Sequence, residues 1–244
     1  MAEFLLIHGA WHGAWCWDEL IPHLQLHGHT AHAIDLPGLG GDSTPLSEIT
    51  LDAYAQRVVD HVRSFNNKVW LVGHSMGGIV ITQAGERVAD RLNGLIYVTA
   101  LAPLNGQSGF DLVAMDKESN LSSAVHIDPD TNTASLPSDS LHRYFYNCCS
   151  DVQIARAKRL LSQRQALNPS MTPVTLTEQN FGRVPRYYVE CLQDHALSIS
   201  TQRRMYQAAG ISRVATLDTD HSPFLSCPKD LAAALHGFTA DNRS

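Results

Sequence analysis

Two textures of apolar and polar positions divide the chain. In residues 4–103, and again from residue 183, short apolar runs alternate with longer stretches whose apolar residues fall three or four apart. The short runs read as strands buried on both faces, the longer stretches as helices with one apolar side. Strands are predicted over 4–7, 30–36, 69–72, 92–100, 186–192 and 214–217. Helices are predicted over 17–26, 79–89, 198–209 and 228–238, with Gly28 stopping the first and Pro228 suited to the first turn of the last. Another begins at Thr50 as N-cap, with Leu51, Tyr54, Val58, Val59, Val62 and Phe65 on a narrow apolar face. Strands and helices alternating at such short intervals imply βα units, and hence an α/β fold with a mostly parallel central sheet and helices on both faces.

From 104 to 182 this rhythm is lost. Residues 105–109 form a loop, 128–132 form the turn of a small hairpin, and 138–148 and 151–165 are expected to be helices. A structureless loop of this length is improbable within a compact domain. The stretch is therefore expected to be an inserted, mainly helical cap (104–182) on a core made of 1–103 and 183–244, with a frayed tail after the last helix.

The chain has 244 residues, 44% of them apolar, enough for one large domain or a core with an insertion. Its net charge is −6 and no basic stripe appears, which argues against nucleic acid as a partner. No run is long and apolar enough to span a bilayer, and the start lacks a basic n-region, so no membrane partner is expected. Five cysteines, an odd number in no zinc or disulfide spacing, read as free thiols in a cytoplasmic protein. Cys148 and Cys149 are expected to pack a cap helix. His8 and His12 are flanked by glycines and lack the glutamate of H-E-x-x-H, and His23 and His27 read as a solvated pair, so no metal is expected. Gly38-Leu39-Gly40-Gly41 matches neither phosphate-binding glycine pattern.

The chemistry centres on Gly73-His74-Ser75-Met76-Gly77, between a predicted strand and a predicted helix. G-x-S-x-G in that context is a nucleophile elbow. The turn must lift the Ser75 hydroxyl clear of the backbone, and side chains two positions away would collide as strand and helix close up. Functional groups of open α/β sheets gather beyond the carboxyl ends of the strands. Asp194 and His221 lie beyond the ends of the last two strands, giving the chain order Ser75, Asp194, His221. Ser75 would be the nucleophile, His221 its base and Asp194 the acid that orients the imidazole. Asp218 and Asp220 are too close in sequence to His221 to sit behind its ring. The strand after the elbow ends in Thr99-Ala100-Leu101-Ala102-Pro103, without an acid. His195 should leave its strand in another direction, as a surface or cap-contact residue. The N–H groups of Ala10 and Met76 are the expected oxyanion donors. Aromatic residues more often pack a core than line a pocket. Trp11, Tyr144, Phe145 and Phe181, with Ser222 beside the histidine, are the substrate-binding candidates.

His8-Gly9-Ala10-Trp11-His12-Gly13-Ala14-Trp15-Cys16-Trp17, the Ser75 elbow, Leu192-Gln193-Asp194 and Asp220-His221 together resemble the α/β-hydrolase family of plant methylesterases and hydroxynitrile lyases, with their bacterial esterase relatives. The resemblance covers essentially the whole core and is weaker in the cap. It implies the α/β-hydrolase fold, a small-molecule ester substrate and no cofactor. Lyase members carry Thr, Glu and Lys where this chain has Ala10, His74 and Ser222, so the resemblance points to the esterase side. It implies hydrolysis of a moderately hydrophobic carboxylic ester through an acyl-enzyme. A ligand receptor of the same fold, and cleavage of thioesters, amides or carbon–carbon bonds, stay open, as does a homodimer.

Overall fold

A computed structural model describes residues 1–241; the tail at 242–244, expected to be frayed, lies outside the described residues. Six strands form one sheet in the order β2-β1-β3-β4-β8-β9, with every neighbouring pair parallel. They are β1 (Glu3–Ile7), β2 (Thr30–Ile34), β3 (Val69–His74), β4 (Leu92–Val98), β8 (Arg186–Cys191) and β9 (Arg213–Leu217). The helices between them are α1 (Leu20–Leu26), α2 (Leu51–Ser64), α3 (Gly77–Val88), α9 (Ile199–Ala208), the short α10 (Pro223–Ser226) and α11 (Pro228–Asp241). After β2 the chain crosses back over β1 to place β3 on its other side, so the sheet is covered on both faces.

Alternate residues of each strand feed two cores. Leu5 and Ile7 of β1 and Val69 and Leu71 of β3 pack with Tyr54, Val58 and Val62 of α2 and with Ile81 of α3. Phe4, Leu6, Trp70 and Val72 point the other way, against Leu20 and Leu24 of α1 and Leu231 and Leu235 of α11. Full burial of such side chains contributes about 2 kcal/mol each. That two-sided burial is why the strands read as continuous apolar runs. Thr50 caps α2 by accepting from the Ala53 N–H. The first predicted helix starts later than expected, because residues Ala14–Trp17 wind into a 3₁₀ turn.

Between β4 and β8 the inserted segment holds α4 (Gly109–Ala114), α5 (Leu121–Ala124), α6 (Leu141–Phe145), α7 (Asp151–Leu160) and α8 (Asn168–Met171). The hairpin expected around 128–132 is there, as β5 (His126–Asp128) and β6 (Thr133–Ser135), and β7 (Gln165–Ala166) adds a third antiparallel strand. Both expected helices are shorter than their sequence pattern. Asp151–Leu160 carries a capping box at Ser150 and Gln153, but the chain extends at Leu161 and Gln165 joins the sheet. Cys148 and Cys149 follow α6 in a turn, not in a helix: the Cys148 N–H donates to the Asp220 carboxylate at 2.7 Å, which ties this turn to the core.

Candidate active site

The elbow forms where β3 runs into α3. Ser75 stands between them with φ +52°, a left-handed conformation that costs a non-glycine residue about 1–3 kcal/mol. Close packing around it explains the flanking glycines. A Cβ on Gly73 would lie 2.7 Å from the Gly77 carbonyl oxygen, and one on Gly77 would lie 2.7 Å from the His8 carbonyl oxygen. The Ser75 carbonyl accepts from the Gly78 and Leu101 N–H groups at 3.0 and 3.1 Å, which pins the turn.

Three strand ends converge on the Ser75 hydroxyl. Ser75 Oγ donates to His221 Nε2 at 2.9 Å, and His221 Nδ1–H donates to Asp194 Oδ2 at 2.6 Å. Asp194 is buried, and its other oxygen accepts from the Ala196 and Leu197 N–H groups at 2.7 and 2.8 Å. Of the two rival acids, Asp220 turns away to the Ser222 N–H and the Cys148 N–H, and Asp218 pairs with Gln193. His195 is exposed, and its Nδ1 bonds to the Arg143 carbonyl of the inserted segment.

Residues that sequence spacing did not single out hold this chain of groups in place. Thr99, at φ +36° just past β4, donates its hydroxyl to Asp194 Oδ2. The strand end that lacks an acid thus supplies the hydroxyl that orients the acid of its neighbour. Gln202 of α9 bonds to both the N–H and the carbonyl of Cys191 and to the Leu197 carbonyl, and so fixes the loop that carries Asp194. His74 Nε2–H donates to the His221 carbonyl at 2.7 Å and positions His221 through its backbone.

Ala10 and Met76 both line the cavity at Ser75. Neither N–H has an intrachain acceptor among the described residues, so both are available to an oxyanion. Met76 is the N-cap of α3, whose dipole favours negative charge there. Trp11, at φ +60°, follows Ala10 and is bonded at three points to the inserted segment. Its N–H donates to Gln165 Oε1 at 3.0 Å, its Nε1–H to the Ala134 carbonyl at 3.1 Å, and its carbonyl accepts from the Ser162 N–H at 2.8 Å.

Three neutral histidines surround the site. Burial pushes His8 down from 6.5 to about 4 and His12 to about 3, and holds His74 well below its ordinary value. The ring nitrogens of His8 and His12 are already committed. His8 bonds to the Gly9 carbonyl and the Leu36 N–H, and His12 to the Ala10 carbonyl and the Tyr146 hydroxyl. They are therefore not free to ligate a metal.

The cavity, about 160 Å³, opens from Ser75 toward the inserted segment and is walled by Phe110, Val113, Leu121, Val125, Ile127 and Leu167. No Lys, Arg, Asp or Glu is among its lining residues. Of the substrate-binding candidates, Trp11 and Phe145 line it. Tyr144, Phe181 and Ser222 do not, and each expectation is corrected. Tyr144 is rotated about 100° from Phe145 on the same helix, and its hydroxyl donates to the Asn120 carbonyl. Phe181 packs under Arg186 at the start of β8, a strand length from Asp194. Ser222 is fully buried in the turn into α10, with its N–H on Asp220.

A family model described as "Alpha/beta hydrolase family" matches residues 4–234. Methylesterase 7 of Arabidopsis thaliana is 30% identical over 248 residues, which covers 96% of this chain and 94% of that protein. A pyrethroid hydrolase from Sphingobium faniae JZ-2 superposes with a TM-score of 0.87 at 27% identity, covering 98% of this chain and 97% of that one. A methylesterase from Arabidopsis superposes with a TM-score of 0.85 at 23% identity, covering 99% of this chain and 100% of that one, and shares the fold.

Proposed function

Because the chain belongs to the alpha/beta hydrolase family, we propose that it is a serine carboxylesterase acting through an acyl-enzyme. The observation that carries this reading is the bonded series Ser75–His221–Asp194, whose first two members line a largely apolar cavity with no Asp, Glu, Lys or Arg side chain in its wall. Ser75 Oγ attacks the ester carbonyl as His221 Nε2 takes its proton. Asp194, held by donors from Thr99, Ala196, Leu197 and Gln202 besides His221, keeps the imidazole in the Nδ1–H tautomer and stabilises the imidazolium. The Ala10 and Met76 N–H groups meet the tetrahedral oxyanion; a single missing donor typically costs about 100- to 1,000-fold in rate. The intermediate collapses, the alcohol leaves with the proton from His221, and water repeats the sequence to release the acid. The segment 104–182 acts as the cap that shapes the acyl and alcohol sites. The absence of a lysine among the lining residues favours hydrolysis over cyanide elimination, which needs a cation for its leaving group.

Initial rates of p-nitrophenyl acetate hydrolysis by the wild type and Ser75→Ala test the reading. The expected result is clear turnover in the wild type and a loss of at least about 1,000-fold in the variant, since the three residues act as a unit. Equal rates would remove Ser75 from the mechanism. Wild type inert toward this ester and several longer ones would count against carboxylic ester hydrolysis and turn attention to ligand binding and to the other bonds that the same three residues can cleave.

A further inference from the structure

Among the residues lining the cavity, Gln165 is the one buried polar side chain with an unused donor on a fixed frame. It is 5% exposed and lies on β7, paired with Ala134 of β6. Its Oε1 accepts the Trp11 N–H at 3.0 Å. An N–H can face only the oxygen of a carboxamide, so this bond settles which end is which. Nε2 has no acceptor among the described residues, it is not one of the sealed, unpartnered polar atoms, and the residue that carries it lines the cavity. The other polar lining groups differ. His12 has both ring nitrogens committed, and Ser122 and Ser170 are less buried and free to turn their hydroxyls to water.

We propose that Gln165 is the specificity residue of this cavity: its Nε2–H donates to a neutral acceptor oxygen of the substrate, separate from the reacting ester. The substrate class is then an uncharged ester with a second acceptor, such as a ketone or ether, set in an otherwise apolar body. The proposal rests on the esterase reading and narrows it. A free amide donor in apolar surroundings is undersatisfied until an acceptor arrives, so a ligand that supplies one is favoured over its alkyl counterpart. The frame is rigid because Trp11 is itself bonded to Ala134 and Ser162, so little side-chain freedom is lost on binding. A carboxylate is excluded as the second group, because no cationic side chain lines the cavity to offset its desolvation.

The test walks one carbonyl along a fixed chain. kcat/KM is measured for methyl hexanoate, methyl 3-, 4- and 5-oxohexanoate, and monomethyl adipate, with wild type and Gln165→Met. Dissociation constants for the same esters are measured on Ser75→Ala. The wild type should prefer at least one oxohexanoate over methyl hexanoate by about tenfold, and Gln165→Met should bring that ratio to within about twofold of unity. Monomethyl adipate should be the poorest substrate. The ratio is internal to each protein, so loosening of Trp11 in the variant lowers both esters and leaves the ratio readable. Wild type that turns over methyl hexanoate with no oxo preference would overturn the proposal. So would a Gln165→Met that slows every ester equally, which would leave Gln165 only the task of holding Trp11. Wild type inert toward every ester would instead count against the esterase reading. The ratio of dissociation constants on Ser75→Ala would then decide the role of Gln165 alone.

Discussion

Ser75 and Trp11 both line the cavity and both stand in left-handed backbone, at φ +52° and +60°. Their supports differ. The Ser75 turn is held within the core, by the Gly78 and Leu101 N–H groups and by glycines that let β3 and α3 close on each other. Trp11 is held from outside the core, by residues 154 and 123 positions away in sequence. The Ser75 turn is thus held by residues of the core, whereas the loop carrying the Ala10 N–H, held in the core by His12, is bonded also to the segment that walls the cavity. Substitutions at the elbow should change stability and rate together. Those in β6 and β7 should change rate and ester preference together.

The largest effect that sharpens this contrast is that of acid on stability. His8 bonds only to core atoms, whereas His12 reaches Tyr146 of the inserted segment. Burial lowers both, to about 4 and about 3, from 6.5. The unfolded chain therefore binds more protons than the folded one between pH 6.5 and about 4. The stability is fully present above 6.5 and is lost as pH falls through that window. For His8 alone this amounts to on the order of 3 kcal/mol. Thermal melts from pH 7.5 to 4.5 should show a steadily falling Tm, with a shallower slope in His12→Gln. A flat Tm would mean that these imidazoles are not buried neutral.

Next in size is the elbow itself. A Cβ on Gly77 would lie 2.7 and 2.8 Å from the carbonyl oxygens of His8 and Ile7, backbone atoms at the end of β1 that have no rotamer to change. Gly77→Ala should cost about 2 kcal/mol, lowering Tm by about 5 °C. It should also lower kcat, because the displaced strand end leads into Ala10. Unchanged Tm and kcat would show that the core has slack at this point.

The same contrast explains what the sequence made legible. The elbow, the parallel sheet, and the Ser75, Asp194, His221 order depend on local spacing and on strand ends, both of which are written in short stretches of residues. Phe145 and Trp11 were legible as candidates because large aromatics are few, but Tyr144 and Phe181 carry the same composition signal and pack elsewhere. Thr99, Gln202 and Gln165 carried no signal, since their roles arise from partners 95, 11 and 154 positions away. In the inserted segment, helix-like polarity over 151–165 concealed a strand, because the Gln165 pairing with β6 is tertiary and outweighs a weak local preference.

The smallest predicted effect bears most directly on the division of labour. Trp11→Phe keeps an aromatic ring beside Phe145, 6.1 Å away in the native protein, and keeps the backbone bonds to Gln165 and Ser162. It removes the indole N–H and leaves the buried Ala134 carbonyl without that donor, a loss of about 1 kcal/mol. If the inserted segment steadies the loop that carries the proposed Ala10 donor, kcat for p-nitrophenyl acetate should fall roughly five- to tenfold. The pH profile should keep its shape, because His221 and its bonds to Ser75 and Asp194 are untouched. A variant that loses stability but keeps full kcat would confine Trp11 to packing, and the loop carrying the Ala10 N–H would then owe its geometry to the core, as the Ser75 turn does.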